Sequence, residues 1–192
     1  GGVLVDWNPD YVYKTIFNDE EKMREFYTNI CTSEWNEEQD AGRTMKEATE
    51  ELVARFPHEE ENIRAYYGRW EEMLKGPIDG TVEILSELKN HGYKLYALTN
   101  WSAETFPIAL KRFEFLHWFD GRLVSGEEKI RKPFKEIYEL IVKRYNIEPS
   151  AAIYIDDNPR NLEAPSQMGM QTIHFKSPAQ LREQFRELDV LA

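Results

Sequence analysis

Two adjacent acids, Asp156-Asp157, follow an unbroken apolar stretch, Ala151-Ala152-Ile153-Tyr154-Ile155. Neighbouring carboxylates repel each other unless a cation neutralises them, and hard oxygen donors of this kind suit Mg²⁺ in company with water and phosphate. Asp157 or Asn158 ahead of Pro159 would also cap a helix, but capping accounts for one acid, not two. Thr99-Asn100 offers a hydroxyl and an amide that can hold a phosphate without adding charge; Asn100 or Ser102 could equally cap the next helix. Lys132, before Pro133, supplies either a compact cation for a phosphate or an ordinary solvent-facing charge. A hydroxyl, a cation and a diacid in that order form a far more specific set than any one of them.

The elements that must position these groups are legible from periodicity. After Gly76-Pro77, helix and strand alternate. Helices are expected over 81–90, 103–113, 133–145, 159–168 and 178–188, and strands over 94–98, 121–125, 151–155 and 171–175. Strands separated by ~10–15-residue helices imply βαβ units, a parallel sheet and helices on both faces. In such doubly wound α/β sheets ligands bind beyond the carboxyl ends of the strands, where Thr99 and Asp156 fall. From Pro9 to Lys75 the apolar residues recur three or four apart (Met23/Phe26/Tyr27/Ile30, Ala48/Leu52/Val53/Phe56), so this stretch reads as helices, with no strand before Gly76. The expected organisation is an α/β core over residues 1–8 and 76–192 with a helical cap over 9–75.

Composition narrows the partners. The 192 residues carry 24 Lys and Arg against 35 Asp and Glu, a net charge of −11. Most of the excess lies in residues 1–75, with 18 acids against 9 bases; residues 76–192 hold 17 against 15. Such a chain is a poor partner for nucleic acid or an anionic membrane face, and no apolar run nears the ~20 residues of a membrane span. The single cysteine, Cys31, rules out an internal disulfide and a cysteine-based metal cluster, and a reducing, cytoplasmic setting is expected. The four histidines show no ligand spacing. Arg43, after the flexible Gly42, is a candidate for gripping a substrate anion; Trp7 and Trp35 suit core packing better than the lining of a cleft.

Taken together, Gly1-Gly2-Val3-Leu4-Val5-Asp6-Trp7, Leu98-Thr99-Asn100, Arg131-Lys132-Pro133 and Ile155-Asp156-Asp157-Asn158-Pro159 resemble the motifs of the haloacid dehalogenase superfamily of Mg²⁺-dependent hydrolases. The likeness covers essentially the whole chain and is greatest to the phosphatase-like branch with a helical cap inserted after the first strand. It implies a Rossmann-like α/β core and a small phosphorylated substrate, with either a monomer or a homodimer compatible. It further implies Thr99 and Asn100 at the phosphoryl group, Lys132 at nucleophile and phosphate, and Asp156, Asp157 and the Gly1 carbonyl at Mg²⁺. Gly1 and Gly2 would border the substrate.

The family nucleophile is an Asp in an Asp-x-Asp-Gly-Thr-like motif. Aligning Gly2 with the motif glycine sets that Asp two residues before Gly1 and replaces the usual acid/base by Gly1 itself. An upstream strand ending in Asp is therefore expected, because a parallel sheet without its central strand would leave two rows of backbone groups unpaired. Asp6 is a poor substitute nucleophile, since the chain should by then be leaving the sheet. A glycine at the acid/base position keeps a 2-haloacid dehalogenase alternative open, because expelling halide needs no acid. A non-catalytic binding or regulatory protein of the same fold is the alternative of another class.

Overall fold

A computed structural model describes all 192 residues. A short ribbon pairs β1 (Val5–Trp7) antiparallel with β2 (Leu74–Pro77). Between them run α1 (Asp10–Ile16), α2 (Glu20–Asn29), α3 (Ser33–Asp40), α4 (Met45–Arg55), α5 (Glu60–Gly68) and α6 (Trp70–Met73). Local chemistry starts these helices. Asp19 accepts a hydrogen bond from the Glu21 N–H, and Thr44 with Glu47 forms a reciprocal capping box. The β1/β2 ribbon corrects the expectation of no strand before Gly76. Val5–Trp7 is too short for periodicity to reveal, and its partner lies some seventy residues on in the chain.

The rest of the chain is α7 (Asp79–Asn90), β3 (Tyr96–Thr99), α8 (Phe106–Arg112), β4 (Gly121–Val124), α9 (Ser125–Glu128), α10 (Lys135–Tyr145), β5 (Ile153–Asp156), α11 (Glu163–Gln167), β6 (Gln171–His174) and α12 (Pro178–Glu187). The alternation expected from the sequence is present, with strands in parallel pairs β3/β4 and β5/β6. The helix expected over 159–168 is instead a 3₁₀ turn at Pro159–Asn161 followed by the short α11.

Side chains along β5 alternate as the pleat requires. Ile153 and Ile155 join a cluster with Ile84, Ile173, Leu181 and Phe185, under α7 and α12. Tyr154 points the other way, to Leu123, Ile137, Tyr138 and Ile141 beneath α10. Helices thus cover both faces, and the fold is a doubly wound α/β core with a helical insert. A third apolar cluster runs from the inserted helices (Tyr13, Phe26, Leu52, Tyr66) through Trp70 and Trp101 to Phe106 and Val124. Trp70 and Trp101 meet at 6.0 Å between ring centroids, so the insert shares a core with the α/β layer.

The parallel strands do not form one continuous sheet. β3 and β5 belong to separate two-stranded pieces, and an apolar cleft of about 570 Å³ lies between them. Val3, Val5, Ala97, Leu98, Ile153 and Ile155 are among its walls. No helix is long and apolar enough to cross a membrane.

Candidate active site

One end of that cleft opens into a second cavity of about 440 Å³, between the carboxyl ends of β3 and β5 and the inserted helices. Gly1, Thr99, Lys132, Asp156 and Asp157 border both. The groups singled out in the sequence are thereby brought together from four separate stretches of chain.

Lys132 is the linchpin. Its Nζ donates to Asp156 Oδ2 at 2.7 Å and to the Leu98 carbonyl at 3.1 Å, tying the end of β5 to the end of β3. Its backbone is clasped by Asn100: the Lys132 N–H donates to Asn100 Oδ1 at 2.8 Å, and Asn100 Nδ2 donates to the Lys132 carbonyl at 3.0 Å. Asn100 therefore positions the lysine and does not cap a helix. Ser102 takes the local turn, accepting from the Glu104 N–H. Thr99 borders the cavity, and no protein group hydrogen-bonds its hydroxyl.

The two acids have opposite surroundings. Asp156 is buried, and both its oxygens are occupied. Oδ2 accepts from Lys132 and from the Tyr154 hydroxyl (2.8 Å), while Oδ1 accepts from the Asn158 N–H (2.9 Å) and Asn161 Nδ2 (3.2 Å). Burial alone would raise its pKa; the adjacent ammonium and these hydrogen bonds outweigh burial and hold it below the usual carboxylate value. Asp157 is open to the cavity, and no neighbouring side chain pairs with it. Loss of hydration, then the charge of Asp156, pushes its pKa up, the condition of a carboxylate that lacks a cation.

The capping question is settled by Asn158. Its side chain accepts from the Arg160 N–H, so the turn after β5 is capped without Asp157. Gly2 explains its own residue type: its φ is +78°, and a Cβ there would sit 2.2 Å from Asp157 Oδ2. No three His, Cys, Asp or Glu side chains converge as a ready-made metal cage. The oxygens present do fit Mg²⁺, which takes one or two carboxylates and keeps several waters. Asp157, with Asp156 beside it, supplies that kind of donor.

Arg43 is a correction. Gly42, at φ +104°, turns the chain back on itself. Arg43 is spent inside the insert on Glu51 (2.7 Å) and Gln39 (2.9 Å), away from the cavity. Asp6 also stays outside the cavity, accepting from the Tyr11 hydroxyl at 2.6 Å on the ribbon. The insert instead contributes Tyr27, Ser33, Asn36, Glu37 and Asp40, and the ribbon contributes Trp7. Glu37 reaches down to Arg131 (3.2 Å) and to Arg160, closing the insert over the core. Among these, Asp40 lies only three residues before Arg43; the turn at Gly42 decides which of the two faces the site, and sequence spacing does not show it.

The family description "Haloacid dehalogenase-like hydrolase" matches residues 14–175. The chain belongs to that family. Among its haloacid dehalogenase-like relatives is the sesquiterpene phosphatase astK of Aspergillus oryzae, 26% identical over 188 residues that cover 98% of this chain and 92% of that one. Another is the validoxylamine A 7'-phosphate phosphatase of Streptomyces hygroscopicus subsp. limoneus, 26% identical over 92% of this chain and 88% of that one. A solved haloacid dehalogenase family enzyme from Bacteroides thetaiotaomicron, in complex with magnesium, has the same fold. It superposes with a TM-score of 0.73 at 21% identity, covering 97% of this chain and 94% of that one. The protein is thus a haloacid dehalogenase-like hydrolase with a helical insert.

Proposed function

We propose that the protein is a Mg²⁺-dependent phosphatase acting on small polar phosphomonoesters such as sugar phosphates. The observation that carries this reading is the meeting, at one cavity, of a free hydroxyl (Thr99), a buried cation (Lys132) and an unpaired carboxylate (Asp157). Phosphatases named among its relatives support it. A phosphate could accept from Thr99 and Lys132, whose donors are already fixed by β3 and by the Asn100 clasp, so little reorganisation accompanies binding.

Asp157 is the residue that would hold Mg²⁺, with the charge of Asp156 behind it and the Gly1 carbonyl nearby. The ion would supply charge neutralisation at the phosphoryl oxygens. The nucleophile of this reading is an Asp two residues before Gly1, at the end of a strand lying in the cleft between β3 and β5. Such a strand would satisfy both facing edges, and its end would emerge where Thr99, Lys132 and Asp157 meet. Its carboxylate would attack phosphorus, and water would then hydrolyse the resulting aspartyl-phosphate. Residues 1–8 and 76–192 would form the catalytic core and residues 9–75 the cap that selects the substrate.

The cavity favours a polar leaving group over a terpenyl chain. Ser33, Asn36, Asp40, Asn100, Asn158 and Arg160 border it. The test is a phosphate-release panel of sugar, acyl and prenyl phosphates on the full-length protein, with Mg²⁺ and with EDTA. Mg²⁺-dependent release that Asp157→Asn abolishes supports the reading. Chloride release from 2-haloacids without metal would overturn it in favour of a dehalogenase, and no turnover of any substrate would leave the non-catalytic alternative.

A further inference from the structure

Gly1 stands where a phosphatase of this kind would carry its proton donor, and glycine cannot serve. An alkyl leaving group departs poorly as an alkoxide, so the proton must come from elsewhere. Four acids border the site cavity: Glu37, Asp40, Asp156 and Asp157. Glu37 is bound to Arg131 and Arg160, and Asp156 is saturated by Lys132, Tyr154, Asn158 and Asn161. Asp157 belongs to the cation end. Asp40 remains: the last residue of α3, half-buried, bordering the cavity, with no hydrogen bond or ion pair to any protein group.

A second observation marks the same wall as a place for a ligand. Trp7 also borders the cavity, and its indole N–H is buried without a partner in the protein. Buried donors are seldom left unmatched without a functional reason.

We propose that Asp40 is the general acid/base of this site, carried by the helical insert in place of the core residue that Gly1 lacks. This rests on the phosphatase reading above. In the first step the P–O bond to the leaving group breaks as the nucleophilic carboxylate bonds to phosphorus, and the Asp40 carboxyl proton passes to the departing alcohol oxygen. In the second, water bonds to phosphorus and gives its proton to the Asp40 carboxylate. The aspartyl P–O bond then breaks, restoring the free carboxylate and releasing inorganic phosphate. Both protons and both bonds balance with no further reactant.

The surroundings suit the role. Loss of hydration, then the charge of Glu37 on the same helix, raises the Asp40 pKa to about 7 against the lowering influence of Arg131 and Lys132. Tyr66 and Tyr67 on α5 are the other titratable groups nearby, both neutral at that pH because burial pushes them up. A carboxyl balanced there can give and take a proton at neutral pH.

The experiment compares kcat/KM of full-length wild type, Asp40→Asn and Asp40→Glu on p-nitrophenyl phosphate and on the alkyl phosphomonoester that wild type uses best. General acid catalysis contributes about 10²–10⁴-fold, so Asp40→Asn should lose about 100-fold or more on the alkyl ester. It should lose only a few-fold on the aryl ester, whose leaving group needs no proton, and Asp40→Glu should recover part of the alkyl activity. The fall of wild-type alkyl kcat/KM as pH rises through neutrality should flatten in Asp40→Asn. Equal losses on both esters, no loss on either, or a wild type that turns over only the aryl ester would overturn the proposal while leaving the phosphatase reading standing. Absence of Mg²⁺-dependent hydrolysis of either ester by wild type would overturn both.

Discussion

Removing the Lys132 ammonium while keeping the side chain's stem tests the electrostatic centre of the site. Lys132→Met preserves most of the packing but leaves Asp156 without its cation, and the two side chains are only 11% and 4% exposed. Breaking a buried ion pair by deleting one partner costs about 3–5 kcal/mol. Asp156 would keep the Tyr154 hydroxyl, the Asn158 N–H and Asn161 Nδ2, so the loss at pH 7 should fall near the lower end, about 3 kcal/mol. The pH dependence has a definite sign. In wild type the folded pKa of Asp156 lies below its unfolded value, so its contribution is present at neutral pH and is lost only as pH falls through the folded pKa. In the variant, burial without the cation raises the folded pKa above the unfolded one. The folded state then takes up the proton first, and the deficit shrinks as pH falls from 7 toward about 4. Urea unfolding in EDTA at pH 7 and pH 4.5 reads both quantities. A loss below about 1 kcal/mol, or one independent of pH, would refute this account of what holds β3 and β5 together.

Three further outcomes follow from the geometry. Gly2→Ala would strain a φ of +78° and drive the Asp157 carboxylate from its place; we expect a loss of about 1–3 kcal/mol and disappearance of any Mg²⁺-induced rise in melting temperature. Gly126→Ala would place a Cβ 2.4 Å from the Ala103 backbone nitrogen and 2.7 Å from the Trp101 carbonyl. Neither atom can swing aside, so a stability loss of about 2 kcal/mol or more by chemical denaturation is expected. Glu37→Gln would weaken the bridge to Arg131 and Arg160 while keeping the side chain's shape. A loss of about 1–2 kcal/mol is expected in the same measurement, together with faster proteolysis of the inserted helices.

The α/β alternation after Gly76 was legible because short strand segments and helices with a three-to-four repeat differ in period. The β1/β2 ribbon was not, since three residues show no period and their pairing depends on contacts seventy positions apart. Thr99, Asp156 and Asp157 were legible because they lie at the carboxyl ends of apolar strands, and Lys132, eight residues past β4, joined them through its place in the order. Arg43 and Asp40 were not distinguished. Both are charged and lie three residues apart, Asp40 closing α3 and Arg43 just beyond it, and the backbone reversal at Gly42 sends Arg43 to Glu51 and leaves Asp40 at the cavity.

Composition and residue order alone determined the family, the acidic character of the insert and the chemical types gathered at the strand ends. These follow from local propensity, burial pattern and covalent sequence. Tertiary structure alone decided how the two acids differ: Asp156 saturated behind Lys132, Asp157 unpaired above Gly2. It also decided that the insert presents Asp40 at the cavity. A side chain's charge state and partners depend on which distant groups crowd it, and those distances exist only once the chain has folded.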